Sequence, residues 1–190
     1  MKRKFRIAIK PPTVIFFVLL VLLDQSTLSL IPILAALCHE FGHVAMMCAV
    51  GMKVREVEIT VFGAEIRTPP SEHGTLASVA VYAAGGAANI VSAIAVTLLP
   101  LKNTHTEFFA ACSLCLAIIN LLPIRSLDGG CILEAILIRL APTCAYSAVS
   151  AVSAVVLMML WLAAVYLLLV CGGNLSLMLF CMYLFAQLFL

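Results

Sequence analysis

Long apolar runs, separated by prolines, glycines and short polar stretches, occupy most of this chain and set the terms on which it can fold. A helix needs about 20 predominantly apolar residues to cross a bilayer. Runs at 12 to about 30, 31–50, 75–99, 107–122, 143–170 and 175–190 are the candidates. Pro32 suits a first helical turn, Gly51 suits a stop, and Pro100 closes the third run. Pro123 lacks the N–H that would continue the fourth. Asp24-Gln25-Ser26-Thr27 interrupts the first run but is no small-residue cleavage site, so the run reads as a retained span and not as a signal peptide. Of the 190 residues, 64% are apolar and 11% charged, against about 45–50% and about 25% in soluble domains. One small soluble core cannot hide that much apolar surface. A soluble enzyme, a nucleic-acid reader and a disordered regulator are excluded. The expectation is an all-α integral membrane protein with about six transmembrane helices, the lipid bilayer as its surroundings and no nucleic-acid partner.

Charge fixes the direction of the spans. Lys2, Arg3, Lys4, Arg6 and Lys10 precede the first run. With the N-terminus inside, the segments 1–12, 51–74 and 123–142 hold every Lys and Arg except Lys102. This bias matches the positive-inside rule and puts both termini in the cytoplasm. The segment after the second span is different in kind. Val54 to Val61 alternates apolar and polar residues, Phe62-Gly63 makes a turn, and Ala64-Glu65-Ile66-Arg67 follows before Pro69-Pro70. It reads as a short β-hairpin. The eight cysteines lie mostly in apolar runs and read as buried reduced thiols, not a secreted disulfide framework. Cys112-Ser113-Leu114-Cys115 is read as helix packing.

Ionisable residues at membrane depth are costly, and each is a functional hypothesis by default. The second span contains His39-Glu40-Phe41-Gly42-His43. Residues i and i+4 share a helix face, so both imidazoles can bind one metal ion. Glu40 is offset from that face and can reach a water at the metal rather than the metal itself. This is the His-Glu-x-x-His pattern of zinc hydrolases. A catalytic zinc usually takes three protein ligands. The third is open among His73, His105, Asp24, Glu107, Asp128, Glu134 and the cysteines. Asp128 fits best, because it follows the Pro123 break at the inner end of the fourth span, where unwound backbone is tolerated beside a cavity. Gly129-Gly130 permits close approach there. Asn120, beside the break, suits either a hydrogen bond to the substrate backbone or oxyanion, or capping of carbonyls freed by Pro123.

Two of these segments carry a family likeness. His39-Glu40-Phe41-Gly42-His43 and Asn120-Leu121-Leu122-Pro123-Ile124-Arg125-Ser126-Leu127-Asp128-Gly129 resemble the paired motifs of the site-2 proteases, intramembrane zinc metalloproteases. They are most similar to the branch containing the stage IV sporulation protein FB. Ala84-Gly85-Gly86-Ala87-Ala88-Asn89 is a weaker third match, with Gly86 where the family often has Pro. The resemblance implies that His39, His43 and Asp128 hold one Zn2+ per chain and that Glu40 is the general base. It also implies that the hairpin enters the membrane in part and helps to position substrate.

The same resemblance implies a bacterial cell-membrane enzyme that releases a sigma factor from a membrane-associated precursor during sporulation. The alternatives are a general site-2 protease acting on an anti-sigma factor or remnant signal peptides, and a zinc-binding transporter without proteolysis. An inhibitory membrane partner is compatible with the branch, and the sequence does not name one. The chain reads as a single polytopic protease domain with a catalytic core of about 31–140. Neither a PDZ-like insertion nor a soluble nucleotide-sensing domain after Leu190 is expected. His43 lies about 18 Å from the outer end of its span at ~1.5 Å per residue, in the inner half of a core about 30 Å thick. The scissile bond is therefore expected near the cytoplasmic face.

Overall fold

A computed structural model describes residues 6–9, 28, 30–52, 56–60, 63–67, 74–100, 102–171 and 175–189. Apart from its last residues, the first expected span lies outside them, as do Asp24 and His73. In chain order the elements are β1 (Arg6–Ile9), α1 (Leu30–Ala49), β2 (Glu56–Thr60), β3 (Gly63–Arg67), α2 (Thr75–Leu98), α3 (Thr104–Asn120), α4 (Asp128–Leu140), α5 (Ala145–Cys171) and α6 (Leu175–Phe189). Among the described residues α1, α2 and α5 are long and apolar enough to cross a membrane. The expectation of six spans exceeds this. The reason is length: α3 has 17 residues and α6 has 15, or about 26 and 23 Å at ~1.5 Å per residue. The chain divides into two compact units, Met1–Ile118 and Ile119–Leu190.

In the first unit, local signals set the helix ends. Helix α1 stops in a Schellman motif: Gly51 takes φ 72°, its N–H reaches the Cys48 carbonyl at 3.2 Å, and the Met52 N–H reaches that of Met47 at 2.9 Å. Glycine occupies this left-handed position without a Cβ penalty. Helix α3 opens with a reciprocal cap, in which Thr106 N–H donates to Asn103 Oδ1 at 2.9 Å and Asn103 N–H to Thr106 Oγ1 at 3.0 Å. Strand β2 pairs in parallel with β1 and antiparallel with β3, where Glu56 lies opposite Arg67 and Thr60 opposite Gly63.

The main packing in this unit joins α1 to α2. On α1 the buried stripe is Ile31, Ala35, His39, Gly42, His43 and Met47. On α2 it is Val81, Ala84, Gly85, Gly86, Asn89 and Ala93. Both repeat at steps of three and four, as one helix face requires. Small residues let apolar helices approach backbone to backbone, which is how helices associate where lipid removes the usual hydrophobic drive. At the crossing, a Cβ on Gly42 would sit 2.5 Å from the Ala84 carbonyl oxygen and 2.7 Å from Ala88 Cβ. The opposite face of α1 carries exposed Leu34, Leu37 and Phe41.

In the second unit the chain breaks at Pro123 and folds back on the first turn of α4. A Cβ on Gly129 would meet the Leu122 carbonyl oxygen at 2.5 Å, and one on Gly130 would meet Arg125 Cα at 2.6 Å. Backbone groups released by the break are taken up by Ser153 of α5, which is fully buried. Its hydroxyl accepts the Arg125 N–H at 2.9 Å and lies 3.4 Å from the Pro123 carbonyl and 2.7 Å from that of Val149. Ser and Thr hydroxyls commonly satisfy broken helices in this way inside membranes. Ile124, Leu157 and Leu184 form a small core with Leu122, Leu127 and Phe185 around it. The Arg125 guanidinium lies over the Tyr146 ring, 4.1 Å from its centroid.

Thermal melting of the purified protein in detergent reads the weight of these contacts. Gly42→Ala forces backbone apart at the α1–α2 crossing and is expected to cost about 1–3 kcal/mol. Phe41→Leu, on the exposed face, is expected to stay within about 0.5 kcal/mol. Ser153→Ala strands the Arg125 N–H and is expected to cost about 1–3 kcal/mol.

Candidate metal centre

His39 and His43 stand one turn apart on α1, are 5% and 7% exposed, and point into the contact with α2. Their rings cross edge to face, with centroids 4.7 Å apart and planes at 84°. The His43 Nδ1–H donates to the Val81 carbonyl at 2.8 Å. A carbonyl can only accept, so this bond leaves the lone pair of a neutral His43 on Nε2. That Nε2 lies 3.1 Å from His39 Nε2. Two imidazole nitrogens each held about 2.0–2.1 Å from one tetrahedral ion stand roughly 3.4 Å apart. The pair therefore meets the spacing of two ligands to a single zinc.

Space for the two rings comes from the facing helix. A Cβ on Gly85 would collide with the His43 ring, at 2.6 Å from its Cε1, and with His39 Cε1 at 2.7 Å. No residue but glycine leaves this cradle open. In the sequence Gly85 stands only within the weaker third family match, because an open cradle depends on which side chains face it across α1 and α2. The Val81 carbonyl likewise has no sequence signature. Asn89 is fully buried, and its Nδ2 lies 3.4 Å from His39 Nδ1. Its signals in the sequence are the last position of the weaker third family match and a single amide inside an apolar helix.

Glu40 follows His39 on α1 and is half-buried. In the second unit Asn120 ends α3 and is half-buried. Asp128 follows the break, as expected. It is the first residue of α4, behind an extended Leu127 that offers no side-chain cap. Acidic groups suit this end of a helix because the dipole is positive there. Nearby, the Cys131 thiol is pushed up to about 11, first by burial and then by the Asp128 and Glu134 carboxylates, with Arg125 opposing. It is a neutral thiol at physiological pH. His105 and Glu107 lie in the first turn of α3, and Glu134 is half-buried on α4.

The comparisons with known proteins bear on both units. Residues 102–164 match Peptidase family M50, a stretch that includes Asn120, Pro123 and Asp128. The fold resembles that of the site-2 protease from Methanocaldococcus jannaschii, with a TM-score of 0.66, 19% sequence identity, and coverage of 99% of this chain and 91% of that one. No curated protein matches the sequence. The peptidase-family match and the shared fold support a metalloprotease, and with the apolar helices they indicate a membrane protein. Over residues 102–164 the chain matches a peptidase family, and its fold is similar to that of a solved site-2 protease.

Proposed function

We propose that this chain is an intramembrane zinc metalloprotease that hydrolyses a peptide bond of a membrane-associated protein near the cytoplasmic face. The observation that carries the reading is the histidine pair: two buried Nε2 atoms 3.1 Å apart on a helix of membrane length. His39, His43 and Asp128 would hold the ion, a nitrogen, nitrogen and oxygen set suited to zinc. Bound zinc supplies Lewis acidity, polarising the scissile carbonyl and lowering the pKa of water from about 15.7 to about 7. Glu40, next to His39 on α1, takes the proton of the attacking water and returns it to the leaving amine. A helical substrate hides its carbonyls in its own hydrogen bonds and must be extended before attack. The strand order leaves β1 and β3 as the sheet edges among the described residues, and an edge strand recruits extended chain by strand addition. Asn120 hydrogen-bonds the substrate backbone or the oxyanion.

The proposal has a topology. Both termini and the 51–74 segment are cytoplasmic, and the sheet lies against or partly within the inner leaflet. Six spans form one protease domain, the shorter α3 and α6 being accommodated by local thinning of the bilayer. The substrate is a sigma factor held in a membrane-associated precursor during sporulation, a choice that rests on the resemblance of the His39–His43 and Asn120–Gly129 motifs to the sporulation branch. A general site-2 protease acting on anti-sigma factors or remnant signal peptides is the competing assignment.

Co-expression with a candidate precursor and N-terminal sequencing of any product tests the chemistry. Glu40→Gln is expected to lower cleavage by about 10²–10⁴-fold while retaining most of the zinc measured by metal analysis. His39→Ala, His43→Ala and Asp128→Asn are expected to lose both. A Glu40→Gln variant cleaving at the parent rate would remove Glu40 from the mechanism. The absence of a Glu40-dependent product from every pro-sigma precursor tried would remove the sporulation assignment. For topology, single cysteines in a cysteine-free background are labelled with an impermeant thiol reagent in intact cells. Positions 103–105 are expected to react and 124–128 to resist, and the reverse pattern would invert the orientation.

A further inference from the structure

His43 has an acceptor holding its Nδ1–H, the Val81 carbonyl at 2.8 Å. His39 faces Asn89 at the equivalent nitrogen, 3.4 Å from Nδ2. The two ends of an Asn side chain have nearly the same shape, and a half-turn about the last bond exchanges them. With Nδ2 toward the ring, a neutral His39 accepts at Nδ1 and carries its hydrogen on Nε2, where it can only donate to His43. In that orientation Asn89 Oδ1 is buried and has no hydrogen-bond partner among the described residues. With Oδ1 toward the ring, the amide oxygen gains the His39 Nδ1–H. Both Nε2 lone pairs then face the same point.

We propose that Asn89 is a positioning residue for the metal centre: its side-chain oxygen accepts the His39 Nδ1–H and holds that imidazole in the tautomer that ligates through Nε2. The inference rests on the metal reading above and adds the amide that matches the Val81 carbonyl. Partners of this kind on metal-bound histidines set tautomer and ring orientation, and their loss typically weakens metal binding 10–100-fold. Asn89 is placed for the task by helix geometry. It lies on the buried face of α2 with Val81 and Gly85, so one helix face supplies both acceptors and the gap between them. A fully buried amide in an otherwise apolar stripe is costly unless it is hydrogen-bonded; either orientation gives it one bond to His39, and only the one with the oxygen inward leaves both Nε2 lone pairs for an ion.

The test reads zinc affinity and tautomer, not proteolysis. The purified full-length protein is titrated with zinc against a chromophoric chelator. Asn89→Leu, close in size but without an acceptor, is expected to bind zinc 10–100-fold more weakly. Asn89→Asp, which keeps an acceptor and drops the donor, is expected to stay within about tenfold of the parent. Equal affinity in the parent and the Leu variant overturns the proposal. Because Asn89→Leu can fail to fold, a second measurement uses the parent alone: nitrogen-15 NMR of histidine-labelled, zinc-loaded protein. Protonated Nδ1 on both His39 and His43 is expected, and an unprotonated or ligating His39 Nδ1 overturns the proposal. A parent that takes up no zinc, or a His43→Ala variant that binds as the parent does, rejects the metal reading itself, separately from the role of Asn89.

Discussion

The distance between α1 and α2 governs the chemistry of the first unit. Gly42 lets the α1 backbone meet Ala84 and Ala88, and Gly85 clears the space that the two imidazoles fill. With a larger residue at either point, the helices would separate and the Val81 carbonyl would leave the reach of His43 Nδ1. The close approach thus does two things at once. It provides dispersion contact between apolar helices and brings a backbone acceptor to a titratable ring. Helix packing and ligand orientation are the same event at this crossing.

The second unit solves a different problem, how to stop a helix in apolar surroundings without stranding its backbone. Pro123 ends the hydrogen-bond ladder, and Ser153 of α5 takes up the Arg125 N–H that the break releases. The next helix has two glycines in its first turn, so the returning chain can lie against it. Asp128 stands at the head of that turn, at the positive end of the α4 dipole. A carboxylate there is favoured before any ligand is considered.

Much of this is legible in the residue order. Helices α1 and α2 begin and end within one residue of the runs bounded by Pro32, Gly51 and Pro100, since those residues act on backbone geometry directly. The i, i+4 histidines are legible for the same reason, a local period. What requires long-range partners is not. The pairing of β1 with β2 joins segments about fifty residues apart, and nothing in Arg6–Ile9 alone selects it. The helix starting at Asp128 is hidden because its 13 residues form no apolar run of membrane length and open on Gly129-Gly130. Gly85 and Asn89 are visible as residue types, but their use depends on what α1 presents across the gap.

The Ser153 contact has a consequence for descent. The hydroxyl serves backbone groups of residues 123 and 125, some thirty positions earlier, and it serves them through main-chain atoms rather than side chains. The hydroxyl itself therefore asks nothing of the side chains along the break: Ile124 is held by the core and Arg125 by the Tyr146 ring, while Ser126 is exposed. Related chains should differ widely at 126 and sparingly at 123 and 153. Losing either member alone would leave its partner as a relic: a helix break with no donor to complete it, or a buried hydroxyl with nothing across from it but its own turn.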